Sequence, residues 1–493
     1  MTGTPLIVLP LLDPTCEVVP LAGERVVDLN ADFWRRMGDA GETRAAAAAL
    51  DAPGASPQDG LSCLLAAAAA DALTEPPGSP AFLRGLGAAA RARSAGDPGL
   101  RVSVDDVHLV SGTTEASGDV VRAARVSTLL RPETGKALSL LAAADGARLL
   151  VEADQQLPAV FTLLGGADRK RITLTGRFVA AHRDALRQVP GIHPARLTPG
   201  SRTVRPGGAW GTAQAFPVSW VARAADIPAG WWAGWLDASE AAGLTAEALE
   251  RCRGLVISVA AAGSWSSARG AAGTVTSLQD VVSALRGRVP LAVEILAGAP
   301  GTGASEARRV AETAARDGIR IAGCRPFRLP VGYPRAAWGG VPVCPARDRE
   351  NDLARWTSVA SDAEADAAAH EVLGWLSERH FLFPGRLAAA LFQPDVISPV
   401  FGEYGWDTSV RHVSTAHAAP DTRGPGDFLV SLRTGRINRI PAALAGAIRT
   451  LRAAGHGQRG SLPGWPAARH DALVAGLKKA GILVRTEMVD DAA

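Results

Sequence analysis

GLVISVA, Gly254–Ala260, is the stretch on which the fold reading turns. Six of its seven residues are apolar or Gly, and the run is too short for a buried helix. That is the signature of a strand covered on both faces, as in a parallel sheet. The unit then recurs along the chain. Thr276 and Gln279 form a capping box that opens a helix reaching about Arg286. Leu291–Leu296 (LAVEIL) is a second strand, Ser305–Arg316 a helix, and Ile319–Ala322 a third strand. Strands alternating with helices predict an α/β fold with a parallel sheet.

The alternation extends toward the N-terminus. Leu6–Leu12 and Arg25–Leu29 read as strands, followed by Ala-rich helical sequence broken by the turn-rich APGASPQDG at 52–60. Asp106–Ser111 (DVHLVS), Arg148–Val151 and Arg171–Thr175 are further strands, and Leu138–Ala144 is helical. These predict a Rossmann-like domain over residues 1–200, ending in a Pro/Gly-rich linker at 198–211. A second βα domain spans 201–350. Asp362–Glu378 is an amphipathic helix, and 380–425, rich in Pro, Gly and His, reads as loops. Residues 351–426 thus form a helical and loop extension. Residues 427–493 carry strand, basic turn, helix, Gly/Pro break, helix and strand, a winged-helix-like pattern. Pro441 suits a first helical turn, Gly481 a C-cap, and Lys478 and Lys479 the negative end of a helix dipole.

Composition narrows the function classes. With 47% hydrophobic and 20% charged residues the chain is globular. Its 52 basic and 49 acidic residues leave +3, which makes no overall electrostatic case for nucleic acid or a membrane surface. No apolar run is long enough to span a bilayer, and the N-terminus lacks a basic n-region, so no signal peptide is expected. Cysteines stand at 16, 63, 252, 324 and 344, no two closer than 20 residues. That spacing excludes CxxC and CxxxCxxC arrangements and fits the reduced thiols of a cytoplasm.

Several segments carry candidate chemistry. Ser111-Gly112-Thr113 closes a strand and offers backbone N–H groups to an anion; ordinary turn geometry explains it equally well. GAPGTGAS, residues 298–305, resembles a phosphate loop with Gly298, Gly303 and Ser305 in place. Ala304 occupies the lysine position, so a tight βα turn is the alternative. The nine histidines show no metal-ligand spacing. Five of the twelve tryptophans, Trp210, Trp220, Trp231, Trp232 and Trp235, fall within residues 210–235. They read as a docking strip, with an aromatic cleft as the alternative.

The segments in order resemble a family. Glu24–Trp34 (ERVVDLNADFW) resembles the "v.DLN..F" entry of cobalamin-dependent radical S-adenosylmethionine enzymes that mature ribosomally made peptides. Ile172–Ile192, with Gly176 and Arg177, is similar to the end of their Rossmann-like cobalamin-binding domain. Gly243–Glu247 followed by GLVISVAAAGS, Glu294–Gly301 with Gly298 and Gly301, and Cys324–Pro334 are similar to successive barrel motifs. Phe428 onward resembles the family's small tail domain. The resemblance implies a cobalamin-binding-like domain over 1–200, a truncated radical-SAM-like partial barrel over 201–350 and a tail module over 427–493.

The departures set the expected function. No cysteine lies between Trp210 and Gly243, where the family carries CxxxCxxC, so no [4Fe–4S] cluster is expected. Asp105-Asp106-Val107-His108 lacks the glycine of the cobalamin signature, and cobalamin is left open. The resulting expectation is a pseudo-enzyme without catalytic residues or a metal. It would partner an active radical SAM homologue or bind a peptide substrate, with Trp231, Trp232 and Trp235 docking the partner. Neither nucleic acid nor a membrane is an expected partner. The alternative is a cobalamin- or S-adenosylmethionine-binding methyltransferase that works without an iron–sulfur cluster.

Overall fold

In a computed structural model, the described residues are 4–14, 16–77, 79–104, 107–114, 116–192, 195–198, 200, 204–206, 219–221, 224–260, 278–285, 287–298, 304–316, 319–326, 343–345, 353, 356–358, 367–372, 375, 399–401, 403–420, 424–432, 435–453 and 465–485. The chain begins with β1 (Leu6–Val8), β2 (Cys16–Val18), β3 (Val26–Asp28) and α1 (Leu29–Met37). Three helices come next, α2 (Ala40–Leu50), α3 (Pro57–Ala72) and α4 (Pro80–Ser94). They lead into β4 (Leu100–Val102), β5 (Val107–Leu109), α5 (Ser117–Val126), α6 (Arg131–Ala143), β6 (Ala147–Leu150), α7 (Leu157–Gly166), β7 (Ile172–Thr175), α8 (Arg177–Gln188), β8 (Arg196–Leu197) and β9 (Val204–Pro206).

The first sheet has the order β3-β1-β6-β7-β8 and is parallel throughout. Counted by its own strands this is 2-1-3-4-5, a doubly wound order whose direction reverses between β1 and β6. Leu6, Val8 and Leu150 pack one face with Leu12 and Val18. DVHLVS does not join this sheet. Its β5 pairs antiparallel with β4 in a separate two-stranded ribbon. The strand signal is correct, but short local runs do not name their partners. Part of the expected linker is also structured, since β9 pairs antiparallel with β2.

One carboxylate organises the ribbon. Asp97 is 5% exposed and accepts from Gly99 N (2.9 Å), Leu100 N (2.8 Å), Thr128 N (2.8 Å), Leu129 N (2.9 Å), Ser127 Oγ (3.1 Å) and Thr128 Oγ1 (3.2 Å). Burial opposes its ionisation; the amides of Gly99, Leu100 and Thr128 with the Ser127 hydroxyl outweigh that and hold its pKa below the ordinary carboxylate value. Asp97→Asn puts an NH2 where only acceptors fit and is expected to cost about 2 kcal/mol. A depressed folded-state pKa contributes stability above the unfolded value, lost as pH falls through the folded one. The wild-type margin over the Asn variant should therefore shrink below about pH 4, as followed by urea unfolding at stepped pH.

A second parallel sheet comes after the first. β10 (Ser219–Val221), β11 (Trp232–Asp237), β12 (Cys252–Ala260), β13 (Leu291–Ala297) and β14 (Arg320–Pro326) lie in sequential order. Between them run α9 (Ala238–Ala242), α10 (Ala246–Glu250), α11 (Leu278–Leu285) and α12 (Ala304–Arg316). The strands are nearly continuous apolar runs because both faces are covered. Val293, Ile295, Ile321 and the α12 residues Ala307, Val310, Ala311 and Ala314 are all buried.

Beyond β15 (Val343–Pro345) and β16 (Trp356–Ser358), the chain continues through β17 (Pro399–Phe401), β18 (Tyr404–Trp406), β19 (Val410–Thr415), β20 (Gly426–Ser431), β21 (Ile437–Ile440), α13 (Ala442–Ala453), α14 (Ala467–Lys479) and β22 (Leu483–Arg485). β17, β18 and β19 replace part of the loop expected over 380–425. Gly, Pro, His and Arg within their short runs hide the strand pattern.

The chain divides into two compact units, neither contiguous. One holds residues 1–36, 96–376 and 386–388; the other holds 37–95, 377–385 and 389–493. This division differs from the expected boundaries at 200, 350 and 426. In particular, the helices between 40 and 94 belong with the C-terminal module rather than with the first sheet. Leu64 and Ala68 of α3 pack on Val413, Phe428 and Val430 of the β19-β20-β21 sheet. Leu473 and Leu477 of α14 and Ile448 of α13 share a cluster with Val410 and Leu429. In-register pairing puts Val410 and Leu429 opposite in sense to Val413 and Phe428, so the sheet is covered on both faces. Among the described residues no helix is long and apolar enough to cross a membrane.

Candidate functional site

In open parallel sheets ligands sit at the carboxyl ends of the strands, where the order reverses. Here that point lies between the loops after β1 and β6. Asp28 N-caps α1, accepting from Ala31 N at 2.8 Å; burial raises its pKa above the ordinary value. The capped helix then delivers two side chains to the β1 loop. Asn30 Oδ1 accepts from Leu12 N (3.0 Å), and Trp34 Nε1 donates to Leu12 O (2.8 Å). From the other side Gln156 Nε2 donates to Leu9 O (2.9 Å), while its Oε1 accepts from Glu152 N (2.7 Å). Leu9, Leu11 and Leu12 are buried, and Leu11 adopts φ +77°, a conformation that costs a branched side chain energy. Leucine side chains and internal hydrogen bonds thus occupy the reversal point.

The residues expected to hold a cofactor are not brought together, and those described have internal roles. A side chain at Gly176, whose φ is +120°, would place its Cβ 2.2 Å from Val151 O, so only glycine allows β7 to turn into α8 against β6. Arg177 Nε donates to Glu152 Oε2 at 2.7 Å, tying α8 to the β6 loop. Ser111, Gly112 and Thr113 come directly after β5. Gly112 has φ +93°, and Thr113 N donates to Asp119 Oδ2 at 3.0 Å. Asp119 thus takes the amide that the sequence offers to an external anion, because a helix-opening carboxylate lies six residues downstream. Thr114 Oγ1 reaches Asp154 Oδ2 of the β6 loop at 3.4 Å. Gly298, with φ +75°, closes β13 as a turn glycine. Gly301 lies outside the described residues, as does Trp210.

The tryptophans divide by environment. Trp232 is fully buried, and its Nε1 donates to Ala248 O at 2.8 Å. It is core, not docking surface, because it opens β11 under α10. Trp231 beside it is 36% exposed, with the Arg253 guanidinium 3.3 Å from its ring centroid. Trp235 lies within β11 in register with Val256.

A row of polar residues, not foreseen from the sequence, crosses the second sheet. Asp237 of β11 pairs with Ser258 of β12, Ser258 with Glu294 of β13, and Glu294 with Gly323 of β14. The row lies at the last residue of β11 and in the carboxyl half of β12, the part of a sequentially wound βα sheet that carries chemistry in barrels. Glu294 is 5% exposed. A Cβ added at Gly323 would meet nothing within 4 Å, so there is room beside the carboxylate. The usable signal is a single polar residue inside each of three otherwise apolar strands, WAGWLD, GLVISVA and LAVEILA.

The thiols of Cys63, Cys252 and Cys324 are buried. Burial pushes the Cys252 thiol up to about 12; for Cys324 burial, reinforced by the Glu294 charge, gives about 12; for Cys63 burial gives about 11. Among the described residues no three His, Cys, Asp or Glu side chains gather as a metal site. No family model, curated protein or solved structure matches this chain.

Proposed function

We propose that this chain is a non-catalytic relative of cobalamin-dependent radical S-adenosylmethionine enzymes, serving as a partner or peptide-binding scaffold in peptide natural-product maturation. In that architecture the first sheet corresponds to the Rossmann-like cobalamin-binding domain, the second to a truncated barrel, and the module ending at β22 to a winged-helix-like tail. Two parallel sheets in the order doubly wound, then sequentially wound, support it. The observation that carries the non-catalytic part is the spacing of the cysteines, no two closer than 20 residues. Cluster ligation takes thiolates gathered around one centre. Cys252 and Cys324 stand on β12 and β14 with β13 between them, and neither has a second cysteine near it in sequence. These residues do not fit an iron–sulfur cluster.

Anaerobic reconstitution with iron and sulfide, followed by iron analysis and electron paramagnetic resonance, tests this. The expected result is no stoichiometric cluster and no signal responding to S-adenosylmethionine; a near-stoichiometric, responsive cluster contradicts the reading. Co-purification as a tight heterodimer with a cysteine-bearing homologue is the expected positive outcome. The second reading, a methyltransferase working without iron, is favoured by one feature, the buried Glu294 carboxylate paired with the open position at Gly323. Methyl transfer from S-adenosylmethionine that disappears in Glu294→Gln, with unchanged thermal unfolding, would select it.

A further inference from the structure

The amino ends of the first sheet's strands, opposite the reversal point, border an open pocket of about 490 Å3. Thr4 precedes β1, Leu21–Arg25 form the turn into β3, Arg148 lies in β6 and Thr173 in β7; all line it. The volume falls within the range of small-molecule sites.

Its charges are unevenly spent. The Glu24 side chain is 4% exposed and is committed inward: Arg148 Nη2 donates to Oε1 and Leu21 N to Oε2 at 3.1 Å. One guanidinium carries five N–H donors, so Arg148 retains donors beyond that ion pair. Arg25, also in the wall, is exposed and has no carboxylate partner among the described residues. The lining therefore holds two guanidiniums against one carboxylate that is already consumed. The hydroxyls of Thr4 and Thr173 add two donors. The positive character continues along the sheet, since Arg148, Thr173 and Arg196 stand side by side in register across β6, β7 and β8. At the mouth, Leu21 is 59% exposed beside Gly23, whose φ of +75° turns the chain there.

We propose that this pocket binds a small organic oxyanion, its anionic group held by Arg25, Arg148 and the threonine hydroxyls and its short apolar body covered by Leu21. The geometry of a planar guanidinium beside a hydroxyl suits a carboxylate or a phosphate monoester alike. The inference does not rest on the proposed function, because it uses the opposite end of the sheet.

The test is calorimetric titration of the full chain at low ionic strength with two probes, sodium hexanoate and inorganic phosphate. Saturable binding of at least one is expected, weakened tenfold or more in Arg25→Gln and unchanged in Arg187→Gln, an exposed arginine on α8. Binding of hexanoate weakened by Leu21→Ser, with phosphate unaffected, assigns a carboxylate with an apolar body; preference for phosphate with no effect of Leu21→Ser assigns a phosphoryl group. Both replaced side chains are at the surface, so thermal unfolding should stay at the wild-type midpoint, and Thr173→Val gives an independent wall variant should either fail to fold. No saturable binding of either probe, or binding indifferent to both Arg25→Gln and Thr173→Val, overturns the proposal.

Discussion

Deleting residues 427–493 is expected to melt α2, α3 and α4 as well, although more than 330 residues separate them from the cut. The reason is the shared core. Leu64 and Ala68 of α3 are fully buried against Val413, Phe428 and Val430, and the deletion removes the last two. Each large apolar side chain so exposed costs about 1.5–3 kcal/mol. The sheet also loses β20, its central strand, which leaves β19 without a hydrogen-bonded neighbour. β19 carries Arg411, 1% exposed, whose guanidinium meets Asp71 of α3 at 2.9 Å and Glu75, just past its end, at 3.0 Å. Gly60 packs on Ala419 so closely that a Cβ there would stand 2.3 Å from its backbone. Asp51 accepts from the amides of Ala416, His417 and Ala418 at 2.6–2.8 Å. These contacts depend on the path of β19 into β20. Their combined loss exceeds the stability margin of an ordinary domain, about 5–15 kcal/mol. Far-UV circular dichroism of the truncated chain should show helix lost beyond α13 and α14. A truncated protein that keeps the α2–α4 helices with a cooperative melt would show the tail to be separable.

The α/β fold is legible in the sequence because strands buried on both faces are written as unbroken apolar runs. GLVISVA, LAVEIL, RLLV and RITLT all form parallel strands within a residue or two of their expected bounds. The interleaving of the two units is not legible. α2 and α3 are Ala-rich around much of their circumference, so they carry little helical period to show which face is buried, and their partner strands lie far along the chain. Arg411 hides β19, since an arginine inside a strand reads as a solvent-facing residue until its two carboxylate partners are known. The DLN motif is visible, but its work is not: Asp28 caps α1 so that Asn30 and Trp34 can grip the β1 loop. The polar row escapes sequence reading because Asp237, Ser258 and Glu294 become neighbours only through strand register, which no local pattern states.

Trp232→Ala is expected to cost about 3–5 kcal/mol, whereas Trp231→Ala, one residue away, should cost about 1 kcal/mol or less. Trp232 has no exposed surface, opens β11 opposite Cys252 and holds Ala248 O through its indole N–H. Truncating it leaves a void the size of an indole and a buried carbonyl without its donor, two penalties that add. Trp231 presents a third of its surface to solvent and contributes a stacked contact with Arg253, whose value at an exposed site is small. An exposed indole pre-ordered by a guanidinium is, however, a suitable interface anchor, because little side-chain entropy remains to be lost on docking. Under the scaffold reading the two effects separate. Trp231→Ala should leave the denaturant midpoint nearly unchanged while weakening association with a cysteine-bearing homologue tenfold or more. Trp232→Ala should lower the midpoint sharply. Urea unfolding with titration calorimetry against that homologue measures both. If Trp231→Ala binds as tightly as the wild type, the exposed tryptophan is not an anchor. If Trp232→Ala unfolds at the wild-type midpoint, the packing of α10 on β11 does not depend on the indole.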